Sequence, residues 1–458
     1  MKEVGLTRYQ QKFYYGYVVV LMLAFSPFKG LAYLASFIFL VFFLSEKGVL
    51  LSVFFLRRLM VLIAVILGLY FLYSSLYPSI FNRPSFILTT VTYSSFYAFL
   101  FIDYSRLKSD LLFDKIAVFS RGIFFLEGCI GVVQAVNGFI VGGSFDISNG
   151  DRVEGTVHLP LPSELSFANP IFCANMLGLL VLLIAYYFKK GNTKKFFLLI
   201  PGILSIILAS VLHQIALFIV ALLGALILLP NVRMGKIKTG VLKKRLLWSV
   251  VIMLIPITLF LGKNVSGISK IPRDIITNEG EDGIPKAIVT LNALFEVPKE
   301  ESAAVWVGLG PGQFSSRAAL IMSGLYFGGP ENPRALPFIE PNMNPLADKY
   351  VFDVLVLFSD VDYFGSSQKP FYSFLSIYTE FGVIGFSLLL LVVSSQILKG
   401  RRVIKQAKSR TSILAVLGVF VLTLFIFFLG VQVNYYEVVQ AIFLSILIIT
   451  LFKGQYQR

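Results

Sequence analysis

The chain is 458 residues long and 57% apolar, with 45 Phe and 21 Tyr and only 14% charged side chains, a balance far from that of soluble globular proteins. That composition excludes a row of soluble domains and predicts an all-α polytopic membrane protein. The net charge of +15 does not call for nucleic acid, because the basic excess lies in short connections that can face anionic lipid headgroups.

In chain order, apolar runs of the length that crosses hydrocarbon as a helix, roughly 17 to 25 residues, number about twelve. They lie near 14–28, 31–45, 59–77, 85–102, 115–141, 168–188, 196–211, 213–229, 246–262, 371–398, 411–430 and 436–452. The first run follows Lys2, Arg8 and Lys12 and leads straight into the second, so it reads as a start-transfer anchor and not as a cleaved signal. Cys129 and Cys173 fall within runs, and no disulfide is expected. Arg121, in the fifth run, is long enough to snorkel toward the inner face, while Glu127 beyond it is a buried polar group with no evident purpose.

Every second connection carries most of the 40 basic residues: 1–13, 46–58, 103–115, 189–195, 230–245, 399–410 and 453–458. The short connections between them hold only Lys29, Arg83 and Arg152. Lys and Arg are retained in cytoplasmic loops, so both termini are expected inside and the long polar segment 263–370 outside. The expected organisation is a bundle of about nine spans over 1–262, an external cap over 263–370 and about three spans over 371–458. A connection this long is functional or disordered and seldom a bare tether. Trp306, Phe314, Phe338, Tyr350 and Phe352 favour a folded cap, with short helices near 283–296, 313–324 and 344–358.

Inside the cap the stretch VWVGLGPGQF, Val305 to Phe314, places Gly308, Gly310 and Gly312 on alternate positions. A nucleotide-binding P-loop needs GxxxxGK[ST] between strand and helix, and no Lys-Ser or Lys-Thr follows here. Two readings remain: a plain surface turn, or a tight turn whose backbone approaches something closely and opens into a helix carrying Arg317. At the far end of the cap, KPFYSFLSIYTEFGVIGF enters the tenth run and puts Glu380 roughly 13 Å into that helix at 1.5 Å per residue. An ionisable group there must face protein or water. It serves either packing or catalysis, and Gly382 and Gly385 after it allow close helix contact.

GLGPGQF before the long outer stretch, YSFLSIYTEFGVIGF after it, and the upstream GDRVEGTVHLPLPSELSFANPIFCANMLG with its Arg-x-x-Gly element together resemble the O-antigen polymerase and O-antigen ligase superfamily. The resemblance implies a polytopic glycosyltransferase of C-type architecture, with about twelve spans and one large external loop between the ninth and tenth. It implies a metal-independent enzyme with no cofactor that uses donor and acceptor glycans linked to undecaprenyl diphosphate. A flippase and a chain-length regulator would be its partners, and surface polysaccharide such as O-antigen, capsule or exopolysaccharide its product, made at the bacterial cytoplasmic membrane. Ligases of the superfamily carry His-Asn where Phe371 and Tyr372 stand here, and a Ser-Arg pair where ASVLHQIAL keeps Ser210 and His213 without an Arg. Both departures favour a polymerase.

Such chemistry needs cations for the departing diphosphate, and Arg is the better fork for two phosphate oxygens. Arg152 matches the Arg-x-x-Gly element and Arg317 follows the glycine turn, with Arg273 or Arg334 in support; loop salt bridges are the alternative for each. A base must take the proton of the attacking sugar hydroxyl. His158 and His213, the only histidines, both map to the outer side, with Glu380 and Glu164 as carboxylate alternatives. Three functions fit in descending order: a repeat-unit polymerase, a ligase moving finished glycan to another acceptor, and a lipid-linked oligosaccharide transporter or flippase. The last would show internal repeats, and no convincing halves are present.

Overall fold

A computed structural model describes residues 5–27, 34–44, 53–93, 97, 99–142, 153–157, 169–191, 193–209, 211–230, 233, 234, 237, 238, 244, 285–325, 340–357, 370–406 and 410–453. Apart from a short antiparallel ladder, Arg233–Met234 against Ile237–Lys238, the described residues form helices and their connections. We number the main helices α1 (Arg8–Ala24), α2 (Ala35–Leu44), α3 (Val53–Leu76), α4 (Arg83–Thr92), α5 (Asp110–Gly142), α6 (Asn169–Lys190), α7 (Ile200–Leu208) and α8 (Leu212–Leu228). They continue with α9 (Pro285–Leu291), α10 (Arg317–Met322), α11 (Ser373–Gln406), α12 (Arg410–Leu429) and α13 (Val439–Lys453).

Among the described residues, 5 helices are long and apolar enough to cross a membrane: Phe55–Leu76, Asp110–Val141, Pro170–Lys190, Ser373–Lys405 and Ser412–Leu429. Lys195–Leu208, His213–Leu228 and Val439–Lys453 are apolar but shorter. Every expected run overlaps a helix except 246–262, which lies outside the described residues. Local signals set several helix starts. Thr7 and Gln10 form a reciprocal capping box at α1, and Asn82 accepts from the Ser85 amide, with Pro84 in the first turn of α4, each arrangement occupying amides that the helix leaves unpaired.

The main core lies among α1, α5, α6, α12 and α13, around large buried rings such as Tyr17, Phe124, Phe172, Phe420 and Phe443. Small residues let helices approach closely. A Cβ placed on Gly128 of α5 would sit 2.3 Å from the Gly202 nitrogen of α7, and one on Gly202 would sit 2.1 Å from the Phe124 ring. Between apolar helices such backbone proximity is the packing itself, since lipid tails are no less apolar than leucine.

One end of the bundle collects connections rich in Lys and Arg. Lys189 pairs with Asp110 and Lys190 with Asp114, both at 2.6 Å. The Gln10 amide donates to the Arg106 carbonyl at 3.1 Å, and the Lys453 ammonium lies 5.8 Å from the Tyr104 ring centre. Residues from 1–13, 103–115, 189–195 and the start of 453–458 therefore share one end, as their charge pattern leads one to expect.

The expected cap helices are also present. Helix α9 continues through a π-helical turn, Asn292–Glu296, into Val297–Glu300, and a similar run covers Pro345–Ala347, Asp348–Phe352 and Asp353–Leu357. These pack in a second, smaller core with Tyr73 and Tyr77 of α3 and Leu375 of α11; Leu309, Phe314 and Val351 fill its centre.

Gly128→Ala is expected to lower the melting temperature of the purified protein in detergent, through overpacking worth about 1–3 kcal/mol. Gly122→Ala, where a Cβ meets nothing within 4 Å, is expected to leave it unchanged or raise it slightly, because Ala favours a helix by about 1 kcal/mol over Gly. Equal losses in the two variants would contradict the close α5–α7 contact.

Candidate functional site

The three glycines of the turn adopt left-handed backbone conformations, with φ of 76° at Gly308, 105° at Gly310 and 80° at Gly312, a region that costs any residue with a Cβ. Their surroundings are equally restrictive. A Cβ on Gly308 would fall 2.2 Å from the Glu380 carbonyl carbon, and one on Gly312 would fall 2.3 Å from the Ser85 carbonyl oxygen. The close neighbours of this turn are therefore α11 at Gly308, Tyr73 of α3 at Gly310 and α4 at Gly312. No phosphate is needed to explain the glycines.

Helix α11 receives the turn at a kink. Gly382 has φ 64° and breaks the helical run, and the adjacent carbonyls of Thr379 and Glu380 accept from the amides of Leu309 (2.8 Å) and Gly310 (3.0 Å). On the opposite edge, the Tyr73 hydroxyl donates to the Val307 carbonyl at 2.5 Å and the Tyr77 hydroxyl to the Gly308 carbonyl at 2.9 Å. Gln313 completes the clamp on α4: its amide accepts from the Asn82 nitrogen (2.7 Å) and donates to the Asn82 carbonyl (2.9 Å).

At the centre sits Glu380, with 0% of its surface exposed. Its carboxylate accepts from the amides of Gly312 (2.6 Å), Phe314 (3.2 Å) and Ser316 (3.1 Å). Main-chain donors converging on one acceptor form a nest, and here the acceptor belongs to the protein. Ser316 in turn caps α10 by accepting from the Ala319 amide. The residue that follows, Arg317, offers its amide to both oxygens of Glu437, at 3.1 and 2.9 Å. Glu437 is also buried and accepts from the Thr92 hydroxyl at 3.2 Å. Two carboxylates thus bracket the stretch from Gly312 to Arg317.

Glu437 ends a polar hairpin, Val431 to Glu437, between α12 and α13, and this hairpin gathers side chains from four other elements. From α9, the Lys286 ammonium donates to the carbonyls of Val431 and Gln432, both at 2.9 Å, and stands 4.4 Å from the centre of the Tyr372 ring. From α8, His213 meets the Gln432 amide through Nε2, and Gln214 donates to the Tyr435 hydroxyl. From α11, Ser376 donates to Asn434 at 3.1 Å, while Asn434 donates to the Ser315 carbonyl at 3.0 Å. From α10, the Arg317 guanidinium lies close enough to Glu437 and Tyr435 for charge interaction. Burial lowers the half-buried Lys286 ammonium to about 8. The carbonyls and the ring face oppose that shift, so the group is a cation at neutral pH.

A third cluster accounts for Glu127. Its carboxylate accepts from the Thr156 amide at 2.9 Å and from the Thr156 hydroxyl, while Gln134, two turns along α5, accepts from the Gly155 amide at 2.8 Å and donates to its carbonyl at 2.9 Å. Gly155 has φ 58°, and a Cβ on it would lie 2.3 Å from the Glu127 carboxylate. The glycine of the Arg-x-x-Gly element is therefore a docking point on α5.

Of the residues singled out in the sequence, Gly308, Gly310, Gly312, Glu380, Arg317 and His213 converge around the start of α11 and the 431–437 hairpin. His158, Arg152, Arg273, Arg334 and Glu164 lie outside the described residues. Sequence reasoning missed Lys286, Gln214, Tyr435 and Glu437. The signal available for Glu437 was VQVNYYE, a polar stretch without Lys or Arg between two apolar runs; Lys286 had none. No protein family matches the chain, and no curated protein or solved structure matches it.

Glu380→Gln puts an NH2 group against amides that need an acceptor. It is expected to destabilise the protein by about 1–3 kcal/mol, the cost of leaving a buried donor unsatisfied. Gly308→Ala is expected to be at least as damaging, and thermal unfolding of both variants in detergent, compared with the parent chain, checks this. A melting temperature unchanged in both would contradict the nest.

Proposed function

We propose that this chain is a polymerase that joins oligosaccharide repeat units carried on undecaprenyl diphosphate into a surface polysaccharide, working on the outer side of the bacterial cytoplasmic membrane. The reading includes about twelve crossings, both termini in the cytoplasm and the 263–370 segment outside. The observation that carries it is the gathering of Arg317, Lys286 and His213 on the 431–437 hairpin, beside the turn and helix start whose motifs resemble the O-antigen polymerase and ligase superfamily. Support for the orientation comes from the Lys- and Arg-rich connections that meet at one end of the bundle.

In the proposed reaction, a hydroxyl oxygen of the acceptor sugar attacks the anomeric carbon of the donor. The bond from that carbon to the diphosphate oxygen breaks, and undecaprenyl diphosphate departs with the electron pair. Arg317 and Lys286 offset the charge that builds on the leaving group, as preorganised cations do most effectively in a site with little water. His213 takes the hydroxyl proton. Glu380 and Glu437 are positioning residues: one folds the glycine turn, the other fixes the start of α10 and hence Arg317. Arg152, Arg273 and Arg334 remain further proposed ligands of the diphosphate.

An in-frame deletion in the producing cell is expected to leave single repeat units on the carrier or the final acceptor and to remove long chains, read on a glycan gel. Repeat units stranded on the cytoplasmic face would instead indicate a flippase. Arg317→Ala is expected to cut chain extension by about 10²-fold or more at unchanged protein level, and normal chain lengths would remove Arg317 from the diphosphate site.

The lowered ammonium of Lys286 adds a pH test. Transfer by the purified protein is expected to fall as pH rises through about 8, where the cation is lost, and Lys286→Arg is expected to move that limb upward. Stability runs the other way. The folded state releases this proton before the unfolded state does, with its ordinary value of 10.5, so the shift contributes stability above that value and loses it as pH falls toward about 8. A limb unmoved by the Arg variant would assign it to another group.

A further inference from the structure

The 285–307 segment turns apolar side chains outward. Trp306 is 63% exposed and Phe295 60%, with Leu291 and Leu294 exposed beside it on the same helical face. The opposite face, with Val289, Ala293 and Val297, is buried in the small core. An exposed apolar patch of this kind marks an interaction surface.

The position of Trp306 identifies what covers it. Its carbonyl packs against the kink of α11, where a Cβ on Gly382 would lie 2.2 Å from the Trp306 oxygen. Gly382 is about 25 Å along α11 from Lys399 at 1.5 Å per residue. Lys399, Arg401 and Arg402 mark one charged boundary of that helix, and a hydrocarbon layer is about 30 Å thick. The level of Trp306 therefore falls near the opposite boundary, where the amphipathic indole is most favoured. Exposed apolar side chains of the two flanking helices continue the patch: Val383, Ile384 and Leu388 on α11, and Phe71, Leu72 and Leu76 on α3. Irregular backbone is tolerated at this depth only where protein satisfies it. That condition is met, since the carbonyls of Val307 and Gly308 accept from Tyr73 and Tyr77, and the amides of Leu309 and Gly310 donate to α11.

We propose that residues 285–307 form an interfacial foot lying in the boundary between headgroups and acyl chains, anchored by Trp306 beside Gly382, and that the lipid bilayer is the partner of this face. The foot holds the glycine turn at the level of the membrane surface. The inference does not depend on glycosyl transfer and would stand with any activity.

The chain has 2 tryptophans, so the full-length protein carrying Trp248→Phe reports on Trp306 alone. It is reconstituted in vesicles of phosphatidylcholine brominated either near the top of the acyl chain or near its end. The expected result is quenching of about twofold or more by the shallow bromines, weaker quenching by the deep ones, and little quenching by aqueous iodide, as for an interfacial indole. Should Trp248→Phe fail to fold, the difference between the parent chain and Trp306→Phe gives the same reading. Emission indifferent to both lipids, quenching by iodide as strong as for free tryptophan, or quenching equal at both depths or greatest from the deep bromines would each overturn the proposal.

Discussion

The turn from Gly308 to Ser316 depends on one carboxylate met by three amides. Glu380 enters from α11, two turns past the helix start, and its partners at Gly312, Phe314 and Ser316 come from a turn more than sixty residues earlier in the chain. Without that carboxyl group the amides would face an apolar interior with nothing to accept them, at a cost of roughly 1–3 kcal/mol each. With it, the turn is pinned to the helix, and the three left-handed glycines become the only residues that can thread between α11 and α4. The kink at Gly382 belongs to the same arrangement, because the Thr379 and Glu380 carbonyls beside it serve the incoming turn.

From this joint the polar hairpin follows. Ser316 leaves the nest and starts α10, Arg317 passes its amide to Glu437, and Glu437 ends the stretch on which Lys286, His213 and Gln214 converge. Lys286 and Arg317 are thus placed by contacts that involve the main chain, and His213 and Gln214 by contacts between side chains. Sites held in this way gain positional accuracy from their second tier of hydrogen bonds.

How much of this could be read in the residues follows from the range of the forces involved. Apolar runs, charged connections and the short helices of the 285–357 region declare themselves locally, through composition and capping, and the helices observed there fall close to the expected ranges. Glu380 stands out because a carboxylate inside an apolar run is costly, whereas the alternating glycines fit a plain surface turn as well as a close backbone approach. What they approach was not legible, since the partners, Ser85, Tyr73 and Thr379, lie far off in sequence and carry no periodic mark. Lys286 illustrates the limit: a single lysine in a polar loop reads as solvated, and only the fold brings it to the carbonyls of Val431 and Gln432. The place of Glu127 is hidden for the same reason, its partner Thr156 lying 29 residues away.

The bonds between Asn82 and Gln313, Tyr77 and Gly308, and Thr92 and Glu437 join residues made early on the ribosome to residues made 231, 231 and 345 positions later. Synthesis of α3 and α4 leaves their polar ends waiting until more than two hundred further residues have emerged, and Thr92 waits until the final hairpin is inserted. The contacts that Glu437 makes with Thr92 and Arg317 can therefore form only once the 431–437 hairpin has been made.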